Sequence, residues 1–168
     1  MALTSTQLTA LKNAINADGT LSALPNNSDG NSSIAAAFNL QAVPDWTIWK
    51  KLVPVADIGK KINGTELAGL TSLNHTRLQT IITLTTASGG LDASLADQRQ
   101  FFDDIFSGAG GTNTRAALLI LWKKLSSRAE KLFSTGTGSN ASPATTDSNI
   151  GMNFTLTVAD VEQARNLP

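Results

Sequence analysis

The chain has 168 residues, of which 41% are hydrophobic and only 15% charged, against roughly 25% charged in an ordinary domain. Thirteen basic residues balance thirteen acidic ones, which argues against a protein that grips nucleic acid by a whole-chain basic excess. The absence of cysteine excludes disulfides, zinc–thiolate sites and thiol nucleophiles together.

In chain order, a first helix is expected from residue 4. Thr4 and Gln7 form a capping-box pair, Leu8, Leu11 and Ile15 recur at helical spacing, and Asp18-Gly19 stops the run. Residues 21–31, with Pro25 and the polar Asn26-Asn27-Ser28-Asp29-Gly30, read as loop. A short Ala-rich helix capped by Ser32 or Ser33 is expected over about 33–40. Between Pro44 and Pro54 the composition permits helix or strand, and the reading favours a short helix or irregular segment that packs Trp46 and Trp49. One turn of helix is expected in 55–62. A longer helix over 71–87 presents Leu73, Leu78, Ile81, Ile82 and Leu84 as a broad apolar face. Another follows over 92–107, with Phe101, Phe102, Ile105 and Phe106 apolar and Asp92, Asp97, Asp103 and Asp104 polar.

The strongest periodicity predicts one long helix over 113–134. Leu118, Leu121, Trp122, Leu125, Ala129, Leu132 and Phe133 form its stripe, and Leu119 and Ile120 widen it toward burial on most sides. Lys123, Lys124, Arg128 and Lys131 lie in its C-terminal half, where cations complement the helix dipole. Residues 135–150 are a Gly/Ser/Thr/Asn stretch without periodicity, of a length that is functional or disordered in a compact domain. Met152, Phe154 and Leu156 alternate as a half-buried strand over 151–156, which needs a pairing partner in this chain or another subunit. Thr157 and Asp160 open a last helix over about 158–166, with Val161 and Ala164 inward.

The expected fold is therefore mainly α: a single domain, 1–168, forming a compact bundle of five or six helices. Within it are N-terminal helices and loop (1–42), a helical core (43–134), an extended loop and strand arm (135–156) and a terminal helix (157–168).

Catalytic and cofactor motifs are poorly represented. His75 is the one histidine and has no Ser-elbow motif beside it; a surface or partly buried structural histidine is the better reading. Asp103 and Asp104 are adjacent on a helix and so point about 100° apart, unfit to share a cation alone. Gly136-Thr137-Gly138-Ser139 lacks the lysine of a phosphate loop and the third glycine of a dinucleotide fingerprint. No cofactor and no metal are expected, and no enzyme activity. The run from 116 to 122 is far short of the ~20 apolar residues of a membrane span, so no membrane partner is expected. The start MALTSTQLTALKNAI lacks a basic stretch followed by an apolar one, and synthesis and folding in the cytoplasm are expected.

The ordered series RAEKLF (128–133), TGTG (135–138), ASPAT (141–145) and DVEQAR (160–165) resembles a family of tailed-bacteriophage virion proteins. So do LTALKNAINAD near the start, NSDG (27–30), IAAAFN (34–39) and the Trp46–Trp49 segment, whereas the middle, about 56 to 110, departs from that pattern. The resemblance implies a head–tail connector or adaptor of the neck, assembled in the host bacterial cytoplasm and present in the virion. Its expected form is a homo-oligomeric ring, twelvefold in such proteins, between the portal protein and a downstream tail or neck protein, with DNA passing non-specifically through its channel. Trp46, Trp49, Gly136, Gly138, Pro143, Phe154 and Leu156 are the interface candidates, with 135–156 reaching a neighbour. Lys124, Arg128 and Lys131, sharing one helix face, are candidates for phosphate contact. Two other roles stay open: another virion part, such as a tail-completion or decoration protein, and a small DNA-binding or packaging accessory protein.

Overall fold

The structure, a computed structural model, describes residues 2–151 and 154–168. Among them the chain is mainly α, with ten α-helices and short strands. In order these are α1 (Ser5–Ala17), α2 (Gly19–Ser22), α3 (Ser28–Asn39), β1 (Thr47–Trp49), α4 (Val55–Gly59), α5 (Gly64–Ala68) and α6 (Ser72–Ala87). Then come α7 (Ala96–Ile105), a 3-10 turn at Ala109–Gly111, α8 (Thr112–Leu121), β2 (Lys123–Leu125), α9 (Arg128–Leu132), β3 (Ser134–Thr135), β4 (Thr145–Thr146) and α10 (Val158–Arg165). β1 neighbours β2, and β3 pairs antiparallel with β4, Ser134 opposite Thr146.

Where the sequence reading has one domain, the chain divides into two compact units: a terminal unit of Met1–Ile48 with Leu125–Pro168, and a central unit of Trp49–Lys124.

In the terminal unit, helix starts follow local side-chain chemistry. Thr4 and Gln7 cap α1 reciprocally, as do Thr157 and Asp160 at α10. α3 begins five residues before the expected Ser33, because the Asn27 side chain accepts from the Gly30 N–H. Gly30 is required there: a Cβ would sit 2.0 Å from the Pro25 carbonyl oxygen. α10 packs on both α1 and α3, with Leu11, Ile15, Ile34, Phe38, Val161 and Ala164 in the shared core. Ala129 of α9 and Phe133, at its C-terminal cap, close this core, each large side chain contributing roughly 1.5–3 kcal/mol.

The predicted strand over 151–156 is absent from its described part; Met152 lies outside the described residues. Leu156 is buried in the terminal core, and Phe154 is half-buried with its ring edge-on to Phe133 at 5.7 Å. The backbone of Leu156 finds its partner in a side chain. Its N–H donates to Asn39 Oδ1 at 2.8 Å, and its carbonyl accepts from Asn39 Nδ2 at 2.9 Å. One carboxamide thus satisfies both groups as a neighbouring strand would.

The central unit packs Val53, Ile58, Leu91, Phe102, Ile105, Phe106, Leu118 and Trp122, with Phe102 edge-on to Trp122 at 5.9 Å. Val53 and Leu91 exchange backbone hydrogen bonds of 2.8 and 2.9 Å. α8 lacks a capping side chain at Gly111, and Glu66 of α5 serves instead, accepting from the N–H groups of Asn113 and Thr114. Those hydrogen bonds, Thr114 foremost, hold the Glu66 carboxyl below its usual value. α7 starts at Ala96 rather than 92, since Asp92 is engaged in a turn with Ser94. The broad apolar face expected on α6 is not buried: Leu78 is, but Leu73 and Leu84 are each 61% exposed.

The long helix expected over 113–134 is two helices. α8 ends at Leu121, Lys123–Leu125 extends as β2, and Ser127 opens α9 with a capping box to Glu130. Ser127-x-x-Glu130 is a local start signal inside a run of unbroken apolar spacing, and it wins because the Ser126 N–H is already bound to the Trp46 carbonyl at 2.8 Å. Ile120, expected to be buried, is 74% exposed, and Leu119 is also exposed.

Candidate interaction sites

The segment expected to reach away from the molecule is folded onto the terminal unit. β3 and β4 pair, and between them Gly138 lies flat on the Trp46 indole, its backbone at φ +63°. A Cβ at Gly138 would fall 2.0 Å from Trp46 Cδ2, so only glycine permits this approach. The indole N–H of Trp46 donates to Ser134 Oγ at 3.0 Å, and Lys131 Nζ stands 4.9 Å from the ring centre. Thr47 is held from both limbs: its N–H donates to the Gly138 carbonyl at 2.7 Å, and its carbonyl accepts from the Ala144 N–H at 2.9 Å. Gly136 approaches Ala144, and Pro143 is buried. Trp46, Gly136, Gly138 and Pro143 therefore meet, but as one folded strap closed on itself.

The strap's return limb is pinned to α1. Gln7, buried, donates to Asp147 Oδ2 and Asn149 Oδ1, both at 2.9 Å, while its Oε1 accepts from Asn149 Nδ2 at 2.8 Å and from the Thr4 N–H at 3.0 Å. Gln7 was legible as a capping residue; its second role was not, because its partners are remote in sequence. Phe154 and Leu156, expected to add a strand to a neighbour, are committed to the core and offer no strand edge.

Lys124, Arg128 and Lys131 do not share a helix face, because β2 and the Ser127 cap interrupt the helix that would have aligned them. Lys124 belongs to the central unit, Arg128 and Lys131 to the terminal one. Arg128 is bound to Asp18 at 2.8 Å and stacks over Phe38 at 4.5 Å. Its guanidinium, with the Leu21 N–H, holds the Asp18 carboxyl below the usual range.

Beside this pair a cleft of about 400 Å³ is floored by Phe38, Ala14 and Leu132 and rimmed by Val43, Arg128 and Lys131. Val43 is 90% exposed and nearby Leu40 68%, the two most exposed large apolar side chains among the described residues of the terminal unit. Apolar groups so placed suit a surface covered by another protein.

In the central unit Trp49 is half-buried, with the Arg99 guanidinium 4.0 Å and Lys123 Nζ 5.9 Å from its ring. A second cleft, of about 470 Å³, is lined by Arg99, Asp103, Arg115, Leu119 and Trp122 among others. Its arginines are turned to backbone carbonyls, Arg99 to Ala93 and Arg115 to Phe106 and Gly108. Burial lowers the Arg99 pKa and raises that of Asp103. His75 is half-buried on α6. Among the described residues no group of three or more His, Cys, Asp or Glu side chains could hold a metal ion, and no helix is long and apolar enough to cross a membrane.

Comparison with family models, curated proteins and solved structures returns no match to this chain.

Proposed function

We propose that the protein is a structural virion subunit of the phage capsid–tail junction, a connector that forms a ring between portal and tail and continues the DNA exit channel. The observation that carries this reading is where the family-like segments lie. LTALKNAINAD, NSDG, IAAAFN, RAEKLF, TGTG, ASPAT and DVEQAR are scattered through the first fifty and last forty-five residues, yet all fall in the terminal unit; of the Trp46–Trp49 segment, only Trp49 lies beyond it, at the start of the central unit. The departing stretch, 56 to 110, falls wholly in the central unit. A resemblance that coincides with one independently packed body is a resemblance of a folded module.

The packing gives the motifs physical work. RAEKLF supplies a capped helix, a core pair (Ala129, Phe133) and the cations beside Phe38 and Trp46. TGTG and ASPAT supply the strap on Trp46. The surface offered to neighbours is then the cleft with Val43 and Leu40 rather than an extended arm. A ring multiplies a modest contact of this kind by symmetry, so each single contact can be weak.

The test is native mass measurement of the chain mixed with portal rings. The expected result is a discrete complex gaining about twelve copies of the 17.6 kDa chain, abolished by Val43→Asp with Leu40→Asp, which remove no buried contact. Failure of the wild-type chain to add to any portal ring would overturn the proposal. Deleting 136–149 is not a clean test, because it strips the cover from Trp46 and the partners from Gln7.

A further inference from the structure

The cleft on the terminal unit is selective in what could fill it. Its floor of Phe38, Ala14 and Leu132 is apolar, and its rim carries two cations in different states. Arg128 is paired with Asp18 at 2.8 Å, whereas Lys131 has its Nζ 4.9 Å from the centre of the Trp46 ring and, among the described residues, no carboxylate partner. An aromatic face attracts an ammonium without neutralising it. The chemistry that complements this surface is an apolar side chain with a carboxylate close by.

The chain itself exposes one such segment. Leu95 is the N-cap of α7, is 50% exposed and makes no capping hydrogen bond. Leucine ranks far below Ser, Thr, Asp and Asn at that position, because it offers the first N–H groups of the helix no acceptor. It also lies outside the packed core of the central unit. A residue that breaks a local rule without an internal gain marks a surface kept for another use. Asp97, two positions on, is exposed and, among the described residues, unpaired. The other exposed large apolar side chains fit less well. Leu73, Leu84, Leu119, Ile120 and Leu125 have no acidic residue within four positions. Val158 has Asp160 and Glu162 nearby, but Asp160 is held in the Thr157 capping box and Val158 lines a polar, asparagine-rich cleft.

We infer that the occupant of the cleft is a second copy of this chain, with Leu95 of one copy seated against Phe38, Leu132 and Val43 of the next and Asp97 beside Lys131. This rests on the ring reading and identifies the neighbour at that surface. Knob and cleft lie on different units, so each copy offers both and the contact runs head to tail. A head-to-tail contact closes into a ring where its rotation permits, whereas cleft against cleft would stop at a pair. The formal charges of the units favour the same pairing. The central unit carries nine Lys and Arg against six Asp and Glu, and the terminal unit four against seven, so the knob-bearing unit is drawn to the cleft-bearing one.

The chain has no cysteine, which makes single-cysteine variants of the full chain a direct test. Val43→Cys and Leu95→Cys replace exposed side chains. Mixed in equal amounts and oxidised, they should give the mixed disulfide dimer in excess of its statistical share, read by intact mass. Ile120→Cys, more exposed than Leu95, should give no such excess with Val43→Cys. Asp97→Lys on the Leu95→Cys chain should lower the mixed-dimer yield about two- to fivefold, the range of an exposed ion pair. Lys131→Glu on the Val43→Cys chain should then restore it. A statistical yield, an equal yield with Ile120→Cys, or a preference for the Val43→Cys homodimer overturns the proposal. So does an Asp97→Lys chain that loses nothing, or a loss that Lys131→Glu does not restore. Portal-ring addition is read separately: mixed dimers without ring addition by the wild-type chain sink the neck reading alone, and ring addition without a mixed-dimer excess sinks this contact alone.

Discussion

Replacing Gly138 by alanine puts the strap to its sharpest test. The new Cβ would lie 2.0, 2.1 and 2.5 Å from Trp46 Cδ2, Cε2 and Cε3, and the backbone there has φ +63°. Left-handed backbone costs a residue with a Cβ roughly 1–2 kcal/mol. Relieving the overlap by shifting the indole or the loop costs about 1–3 kcal/mol more, as overpacking does. Displacing the ring also breaks the Nε1 hydrogen bond to Ser134, worth about 1 kcal/mol. Together these place the loss at about 3–6 kcal/mol, a large share of the 5–15 kcal/mol that holds an ordinary domain together. Urea unfolding followed by far-ultraviolet circular dichroism measures it, and Trp46 emission should shift toward that of a hydrated indole. Two internal controls rank the effect. Gly136→Ala meets Ala144 Cα at 3.2 Å with φ +120° and should cost less, whereas Gly151→Ala meets nothing within 4 Å and should be close to neutral. A Gly138→Ala protein within about 1 kcal/mol of wild type would refute the seating of the strap on Trp46.

Asn39→Leu should destabilise the terminal unit by about 2–4 kcal/mol, since it orphans the N–H and carbonyl of the buried Leu156; Asn39→Asp should restore only the N–H contact, and denaturant melts read both. Ser127→Ala removes the side-chain half of the α9 capping box and should cost about 1 kcal/mol in the same assay. For Asp103 the pH sign follows from burial, which raises its folded pKa above the unfolded value of about 3.9. The charged form is then penalised in the folded state above that folded pKa, and the penalty fades as pH falls through it toward 3.9. Asp103→Asn should therefore raise the melting temperature at pH 7, with the gain vanishing near pH 4. The opposite sign holds for Glu66, whose depressed pKa contributes stability above about pH 4.3 that is lost on acidification, so Glu66→Gln should flatten the acid limb of the melting profile.

Features written in neighbouring residues were legible in the sequence. The caps at Thr4 and Thr157 and the mainly helical class are of this kind, because a capping box spans only four consecutive residues. Ser127 and Glu130 carry the same signature, but the apolar period from Leu118 to Phe133 runs through it unbroken, and periodicity alone cannot register a break decided by the remote Trp46 carbonyl. The alternation of Met152, Phe154 and Leu156 misled for a related reason: a period of two marks alternate burial, and here the backbone of Leu156 is satisfied by the Asn39 side chain instead of a strand. Trp46, Gly136, Gly138 and Pro143 were each identifiable as unusual residues. That they touch, and so close the strap rather than extend it, depended on contacts between distant parts of the chain. The opposed charges of the two units were invisible for the plainest reason: the totals cancel until the boundary between them is known.

The central claim is that this chain is a ring subunit of the capsid–tail junction, and imaging tests it most directly. Cryo-electron microscopy of tailed particles containing the chain, reconstructed about the tail axis, should place density matching the terminal unit in a closed ring directly beneath the portal, with the Leu40–Val43 surface covered by a neighbour. Density for that unit spread over the capsid shell, or no density for it at the portal vertex of particles that contain the chain, would contradict the account.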